Sequence, residues 1–190
     1  GFEAYVTSDV LVGAGISSSA AFETLIGTII SGLYNDMKID PVTIAKAGQY
    51  AENVFFGKPC GLMDQMACSV GNMVHIDFKF PDNPEVERID FDFAKTGYSL
   101  CITNTRGSHS NLTDEYAAVP SEMRKIAALL GHDVLRPVTL NDIISNISTL
   151  REQAGDRAVL RAIHFVNETE RAGKEAAALQ SGDLWQFLQL

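Results

Sequence analysis

Three consecutive serines, Ser17-Ser18-Ser19, follow the small-residue stretch Leu11-Val12-Gly13-Ala14-Gly15-Ile16 and lead into Ala20-Ala21. Gly13 and Gly15 let a backbone turn tightly and approach a ligand closely. The serines bring hydroxyls to the point where a following helix leaves its first amides unpaired. Unpaired amides at the positive end of a helix dipole form an anion site, so the loop reads as a holder of nucleotide phosphates. A Ser-rich helix cap is the plain alternative, but one serine serves as a cap and three exceed that need. The loop lacks Gly-Lys-Ser/Thr and is not the common P-loop. A dinucleotide turn would need glycine where Ser18 stands. Asp36 could then play its ribose-binding acid, but the serines would have no task. No Lys or Arg lies between Gly1 and Asp36, so a bound phosphate there needs amides and a metal ion for its countercharge.

Two carboxylates follow at positions where an acid can do chemistry. Glu52 stands four residues after Gly48, on the flank of an apolar helical face. It is either a solvated edge residue or a partly sheltered ligand, and the rarity of unpaired buried Glu favours the edge. Asp64 falls in the first turn of a short helical pattern. There it either complements the helix dipole or stands ready to take a proton, and spacing alone favours the first. Arg106 and His109, in the polar stretch from Asn104 to Thr113, could contact an anion, though a solvated loop explains them more cheaply. Tyr116 opens the next helix and could simply be core. His75 alternates with apolar neighbours and reads as a sheet-face residue.

The elements that must position these groups are legible in outline. Phe2 to Thr7 alternates as a half-buried strand does, and Ala21 to Ile30 is an apolar run long enough for a buried helix. Asp40-Pro41 marks a helix start, an acidic cap followed by proline. Ile44, Gly48, Ala51 and Phe55 share one face of that helix, widened by Ala47 and Val54. Gly57 to Gly61 breaks it, and a short helix over 62–70 turns Met63, Met66, Ala67 and Val70 inward. Strands are expected at 73–78 and 86–91, joined by a Pro/Asn loop, and a further one at 98–103. The pattern shifts around Ala94-Lys95-Thr96-Gly97, which suggests a domain boundary. Helices are expected near 114–130, 139–147, 156–179 and 182–190.

Composition narrows the function classes. At 46% hydrophobic residues the 190-residue chain can build a real core. A net charge of -9 and the lack of a Lys/Arg block argue against a nucleic-acid surface. Cys60, Cys68 and Cys101 form an odd set without metal-ligand spacing, which suits reduced thiols in a cytoplasmic protein. No signal peptide is evident, and no apolar run is long enough to span a membrane. The chain starts without Met, in a strand-like stretch, and stops in an apolar helix-like segment, as a fragment of a longer protein would.

Together these stretches resemble the galactokinases, within the GHMP family of small-molecule kinases. Gly13-Ala14-Gly15-Ile16-Ser17-Ser18-Ser19-Ala20-Ala21 is similar to the family's phosphate-binding motif. Ala51-Glu52-Asn53 through Cys60-Gly61-Leu62-Met63-Asp64-Gln65 is similar to the segment that carries the catalytic Asp. Thr103-Asn104-Thr105 through Tyr116, and Arg161 to Glu168, also have a galactokinase look. The resemblance implies an α+β, two-lobed GHMP kinase fold. Its N-lobe, residues 1–95, would be of the ribosomal S5 domain 2 type and its C-lobe, residues 96–190, ferredoxin-like, both incomplete. It implies that Gly13, Ala14, Gly15, Ile16, Ser17, Ser18 and Ser19 wrap ATP and that Ser19 and Glu52 hold Mg²⁺. It makes Asp64 the catalytic base facing the anomeric hydroxyl of a sugar, with Gly61 and Tyr116 contacting that sugar. The implied partners are the sugar and ATP, with neither nucleic acid nor membrane.

Departures from the family pattern bear on activity. Leu11 and Ile16 stand where the family often has Pro and Leu, both mild changes for a turn. A Gly-Glu-His-x-Asp-Tyr type stretch is absent, as is the glycine-rich third motif that closes over the phosphates. A chain without both is expected to be inactive alone. The implied reaction converts ATP and galactose to ADP and galactose 1-phosphate. A sister kinase for galacturonate, arabinose or N-acetylgalactosamine is the alternative enzyme, and a non-catalytic sugar and nucleotide sensor the alternative of another class. The intact Ser17-Ser18-Ser19 favours an enzyme.

Overall fold

The computed structural model of the chain describes residues 1–10, 15–80, 82–103 and 113–190. The chain divides into two compact units, residues 1–74 with 92–109 and residues 75–91 with 110–190. The architecture is α+β, with a two-stranded sheet among eight α-helices in the described residues.

The first unit is built on three helices, α1 (Ser18–Asn35), α2 (Pro41–Tyr50) and α3 (Met63–Val70), which pack on one another in all three pairings. α1 accepts hydroxyls on its inner side because they bond back to the helix. Thr24 Oγ1 donates to Ala20 O at 2.8 Å, and Thr28 Oγ1 to Thr24 O at 2.8 Å. α2 starts as its sequence predicts: Asp40 Oδ1 accepts from Thr43 N at 3.0 Å, with Pro41 at the first helical position. Two glycines set the spacing of the three helices. A Cβ on Gly27 would stand 2.7 Å from Ile44 Cγ2, and one on Gly48 would meet Glu23 Cβ at 3.2 Å and Gln65 Cγ at 3.4 Å. In α3 the inner residues are Gln65 and Met66, preceded by buried Leu62, while the expected inner residue Met63 is 61% exposed.

α2 does not end cleanly. Residues Ala51–Phe55 continue it as one turn of π-helix, with Phe56 N donating to Ala51 O at 3.3 Å. Glu52 lies on the buried side, one turn after Gly48, whereas past the wider winding Val54 and Phe55, expected inward, face solvent.

The second unit holds β2 (Glu85–Ile89), the part of β1 (Met73–Asp77) after Val74, and five helices: α4 (Thr113–Leu129), α5 (Leu140–Ser145), α6 (Ile147–Ala154), α7 (Asp156–Gln180) and α8 (Leu184–Gln189). Ile126, Ala127, Leu135, Val138, Ile143, Leu150, Ala158, Val159 and Ala162 form its core. A capping box starts α5, with Asp142 N donating to Thr139 Oγ1 and Thr139 N to Asp142 Oδ2. Arg136 grips Asp77 through two nitrogens, at 3.1 and 2.7 Å, tying β1 to the segment before α5. Arg157 and Arg161 of α7 both reach Glu122 of α4, which gives Arg161 a structural task. His75 lies on the sheet, 3.9 Å from Glu87 across the strand pair.

Three expectations differ from what the chain does. Residues 2–7 and 98–103 form no strand among the described residues, because a strand exists only against a partner, and Tyr5 and Leu100 are each 94% exposed. The helix expected over 139–147 is two helices, which break at Asn146, whose Nδ2 bonds back to Asp142 O at 2.9 Å. No described helix is long and apolar enough to cross a membrane.

Candidate functional site

The mouth of α1 is the starting point. Gly15 has φ 75° and Ser17 has φ 58°, ψ 42°, so the chain enters the helix through two left-handed residues. For glycine that costs little, but for serine it is strain that the surroundings must hold. Ser17 does not cap the helix with its side chain. Its hydroxyl donates instead to Asp64 Oδ2 at 2.7 Å, across 47 residues of chain. The first amides of α1 therefore keep no side-chain cap, which is the condition an anion site needs.

Two residues further in, Ser19 Oγ donates to Glu52 Oε1 at 3.2 Å. Two serines of one helix mouth thus meet two carboxylates, one from the start of α3 and one from the π-turn. Gly13 and Ala14, the front of the expected loop, lie outside the described residues, while Gly15 to Ser17 lead into α1 and Ser18 and Ser19 open it.

Glu52 is the best-held group in the site. It is 4% exposed, against the expectation of a solvated edge. Its Oε2 accepts Gln65 Nε2 at 2.9 Å, and its Oε1 accepts both Ser19 and the Lys58 ammonium, the latter at 2.5 Å. Burial pushes its carboxyl upward, but the bonds from Lys58, Cys60 and Ser19 outweigh that and hold it below the usual range. Gln65 is a hub that sequence reasoning missed. It is 1% exposed, and its Nε2 also faces Glu23 Oε2 at 3.2 Å and Cys60 Sγ at 3.6 Å, while its Oε1 has no partner. The missed signal was a glutamine on the inward phase of an apolar helix. Burial pushes the nearby Glu23 carboxyl up, with Gln65 opposing and the charge of Glu52 reinforcing.

The loop from the π-turn to α3 is laced together. Cys60 N donates to Asn53 Oδ1 at 2.8 Å, and Gln49 Nε2 to Cys60 O at 3.2 Å. Gly61 is exposed, and a Cβ there would meet nothing within 4 Å. Burial first, then the neighbouring Glu52 carboxylate, pushes the Cys60 thiol up to about 11. At pH 8 only about a thousandth of such a thiol is thiolate, the form that reacts. Iodoacetamide at pH 8, followed by peptide mapping, is expected to label exposed Cys101 long before Cys60. Labelling of Cys60 should accelerate about tenfold per pH unit up to pH 10. Equal rates for the two would mean that Cys60 is not sheltered by Glu52.

The donor chemistry suits magnesium. A hydroxyl and a carboxylate are hard oxygens, and adjacent ligands of an octahedral Mg²⁺ at about 2.1 Å stand about 3 Å apart. Ser19 Oγ and Glu52 Oε1 are 3.2 Å apart. Among the described residues no three His, Cys, Asp or Glu side chains are grouped as a metal cage; Ser19 and Glu52 are a two-oxygen set, the number an ion that keeps its waters takes. Ser19, Glu23, Glu52 and Lys58 also line a largely apolar cleft of about 620 Å³ with Ile26, Ile30 and Ile44. Tyr116 belongs to the other unit, in α4, and is 55% exposed. Arg106 and His109 lie outside the described residues.

The chain is similar to known proteins along its length. Residues 1–72 match the family described as GHMP kinases N terminal domain. The chain is 36% identical to the galactokinase of Streptomyces coelicolor over 186 residues, 96% of this chain and 46% of that protein. It is 33% identical to human galactokinase over 193 residues, all of this chain and 47% of that protein. The chain thus spans about half the length of the curated relatives it matches. Among solved structures it is similar to Lactococcus lactis galactokinase complexed with galactose. There the TM-score is 0.66 and the identity 20%, covering 95% of this chain and 46% of that one. Residues 1–72 thus match the GHMP kinase N-terminal domain, and the chain is similar to galactokinases along its length.

Proposed function

We propose that this chain forms the phosphate-binding and proton-accepting core of a cytoplasmic sugar kinase that converts ATP and galactose to ADP and galactose 1-phosphate. One observation carries the reading: Ser17 and Ser19, at one helix mouth, each bond a different carboxylate, Asp64 and Glu52. Phosphate, metal and proton chemistry therefore share a single neighbourhood. Galactose is supported by the relatives, which are galactokinases, and by the solved neighbour, which holds that sugar.

The roles follow from position. Gly15 to Ser19, with Gly13 and Ala14 ahead of them, would wrap the triphosphate and donate amides to its oxygens. Ser19 and Glu52 would hold Mg²⁺, which when bound bridges phosphate oxygens and offsets the charge that develops on them. Asp64 would accept the proton of the anomeric hydroxyl. A carboxylate is a weak base for an alcohol, which suffices if proton removal lags behind cleavage of the bond to the leaving phosphate. The open approach at Gly61 leaves room for the sugar, and Tyr116 is carried over as a sugar contact from the family resemblance alone. Ser17 holds Asp64 by its Oδ2, which keeps the carboxylate turned to the helix mouth.

The test is made on the protein expressed within its complete reading frame. Calorimetry with galactose, galacturonate, arabinose and N-acetylgalactosamine is paired with a coupled assay for ADP release in the presence of Mg²⁺ and ATP. Galactose binding with ADP release is expected. Release with a different sugar alone would move the assignment to a sister kinase, and binding without release would make the protein a sensor.

A further inference from the structure

Lys58 is tied to Glu52 twice, and the proposed reaction does not use it. Its backbone amide donates to Glu52 O at 3.1 Å, and its ammonium reaches Glu52 Oε1 at 2.5 Å. The Lys58 side chain is 63% exposed and the Glu52 side chain 6%, so a cation on a flexible stem reaches from solvent to a fixed, buried acid. The choice of oxygen matters. Gln65 takes Oε2, whereas Lys58 takes Oε1, the oxygen that also accepts the Ser19 hydroxyl.

We propose that Lys58 is an internal competitor for the divalent cation: it neutralises Glu52 in the ligand-free protein and must leave Oε1 before a divalent ion can take it. This rests on the reading of Ser19 and Glu52 as the metal pair. A buried carboxylate without a countercharge is strongly destabilising, and the neutral amide of Gln65 supplies none, so the empty site needs a cation of its own. An ammonium that stayed beside an arriving divalent ion would repel it, all the more strongly against the apolar walls of the neighbouring cleft. A triphosphate changes that balance, because its negative oxygens can draw the ammonium off Glu52. Lys58 therefore makes tight metal binding conditional on nucleotide. Divalent ions alone bind weakly, and the same ions arriving with a triphosphate bind well.

The experiment uses Mn²⁺ as the probe, titrated by electron paramagnetic resonance into the protein in its complete reading frame, with and without a non-hydrolysable ATP analogue. Lys58→Met and Lys58→Gln are expected to bind Mn²⁺ alone at least tenfold more tightly than wild type. With the analogue present the gain should shrink to within about threefold. Lys58→Arg, which keeps the charge, should stay near wild type. Metal-free Lys58→Met should melt at lower temperature and regain the loss with Mn²⁺. Unchanged or weaker Mn²⁺ binding in both neutral variants overturns the proposal. So does a loss of metal-free nucleotide affinity without tighter Mn²⁺ binding, which would make Lys58 a phosphate contact. Glu52→Gln separates the two ideas. If it binds Mn²⁺ as wild type does, the metal pair itself is wrong. If it loses Mn²⁺ while the Lys58 variants gain nothing, only the competitor falls.

Discussion

Replacing Asp64 with asparagine is expected to lower kcat by about a thousandfold while sugar affinity stays within a few-fold of wild type. Asparagine keeps the shape of the side chain and can still accept the Ser17 hydroxyl through its carbonyl oxygen, so the mouth of α1 should stay in place. What disappears is the charge that takes a proton. The loss therefore belongs in kcat, where an interaction made in the transition state shows, and not in substrate binding. Steady-state kinetics together with calorimetric sugar titration makes the separation. Near-normal turnover would remove Asp64 from the chemistry and leave it as a helix-terminal acid bonded to a strained serine.

The second large effect is expected at Glu52. Glu52→Gln should raise the Mg²⁺ concentration for half-maximal turnover by about a hundredfold, or about 2.7 kcal/mol of metal affinity. Glutamine keeps an oxygen for Ser19, and its amide nitrogen, in place of the oxygen that accepts from Gln65 Nε2, can donate to Gln65 Oε1 once that amide turns over, while the charge is lost. Glu52→Leu is a harsher change, because Gln65 would lose the acceptor at 2.9 Å and Lys58 its countercharge. It should lower the melting temperature as well as the activity. Asp64→Asn should leave the Mg²⁺ dependence almost unchanged, so the two variants give opposite signatures in one pair of titrations. An unaltered Mg²⁺ requirement in Glu52→Gln would take Glu52 out of the metal site.

Much of the frame that carries these groups was legible from local chemistry. Asp40-Pro41 announced α2, the serine run announced the mouth of α1, and Asp64 fell in the first turn of α3 as its spacing requires. The pairings were not legible. The outward turn of Phe55 depends on a π-turn, and a 3.6-residue periodicity read along 44–55 has no place for one. Glu52, four residues after buried Gly48, lies on the buried side by ordinary helical spacing; its residue type, not its position, argued for the edge, and its pairing with Ser19 and Gln65 removes that argument. Gln65 went unnoticed because an apolar face is searched for apolar residues. Lys58 looked like part of a helix break, since nothing local ties it to a residue six positions earlier. The expected strands at 2–7 and 98–103 failed for a related reason: alternation describes one strand, whereas a ladder needs two.

The winding at 51–55 makes this segment tolerant of a change in length that the rest of the helix would not bear. A bond that spans five residues stores one residue more than a regular turn would hold. Val54 points to solvent, and Phe55 meets only the edge of the Tyr50 ring. Removing Val54 would let the turn relax to ordinary pitch and leave the chain from Phe56 onward close to its present angle around the axis. A deletion within Pro41–Tyr50, where no residue is stored, would instead turn Glu52 by about 100° away from Ser19 and Gln65 and silence the site.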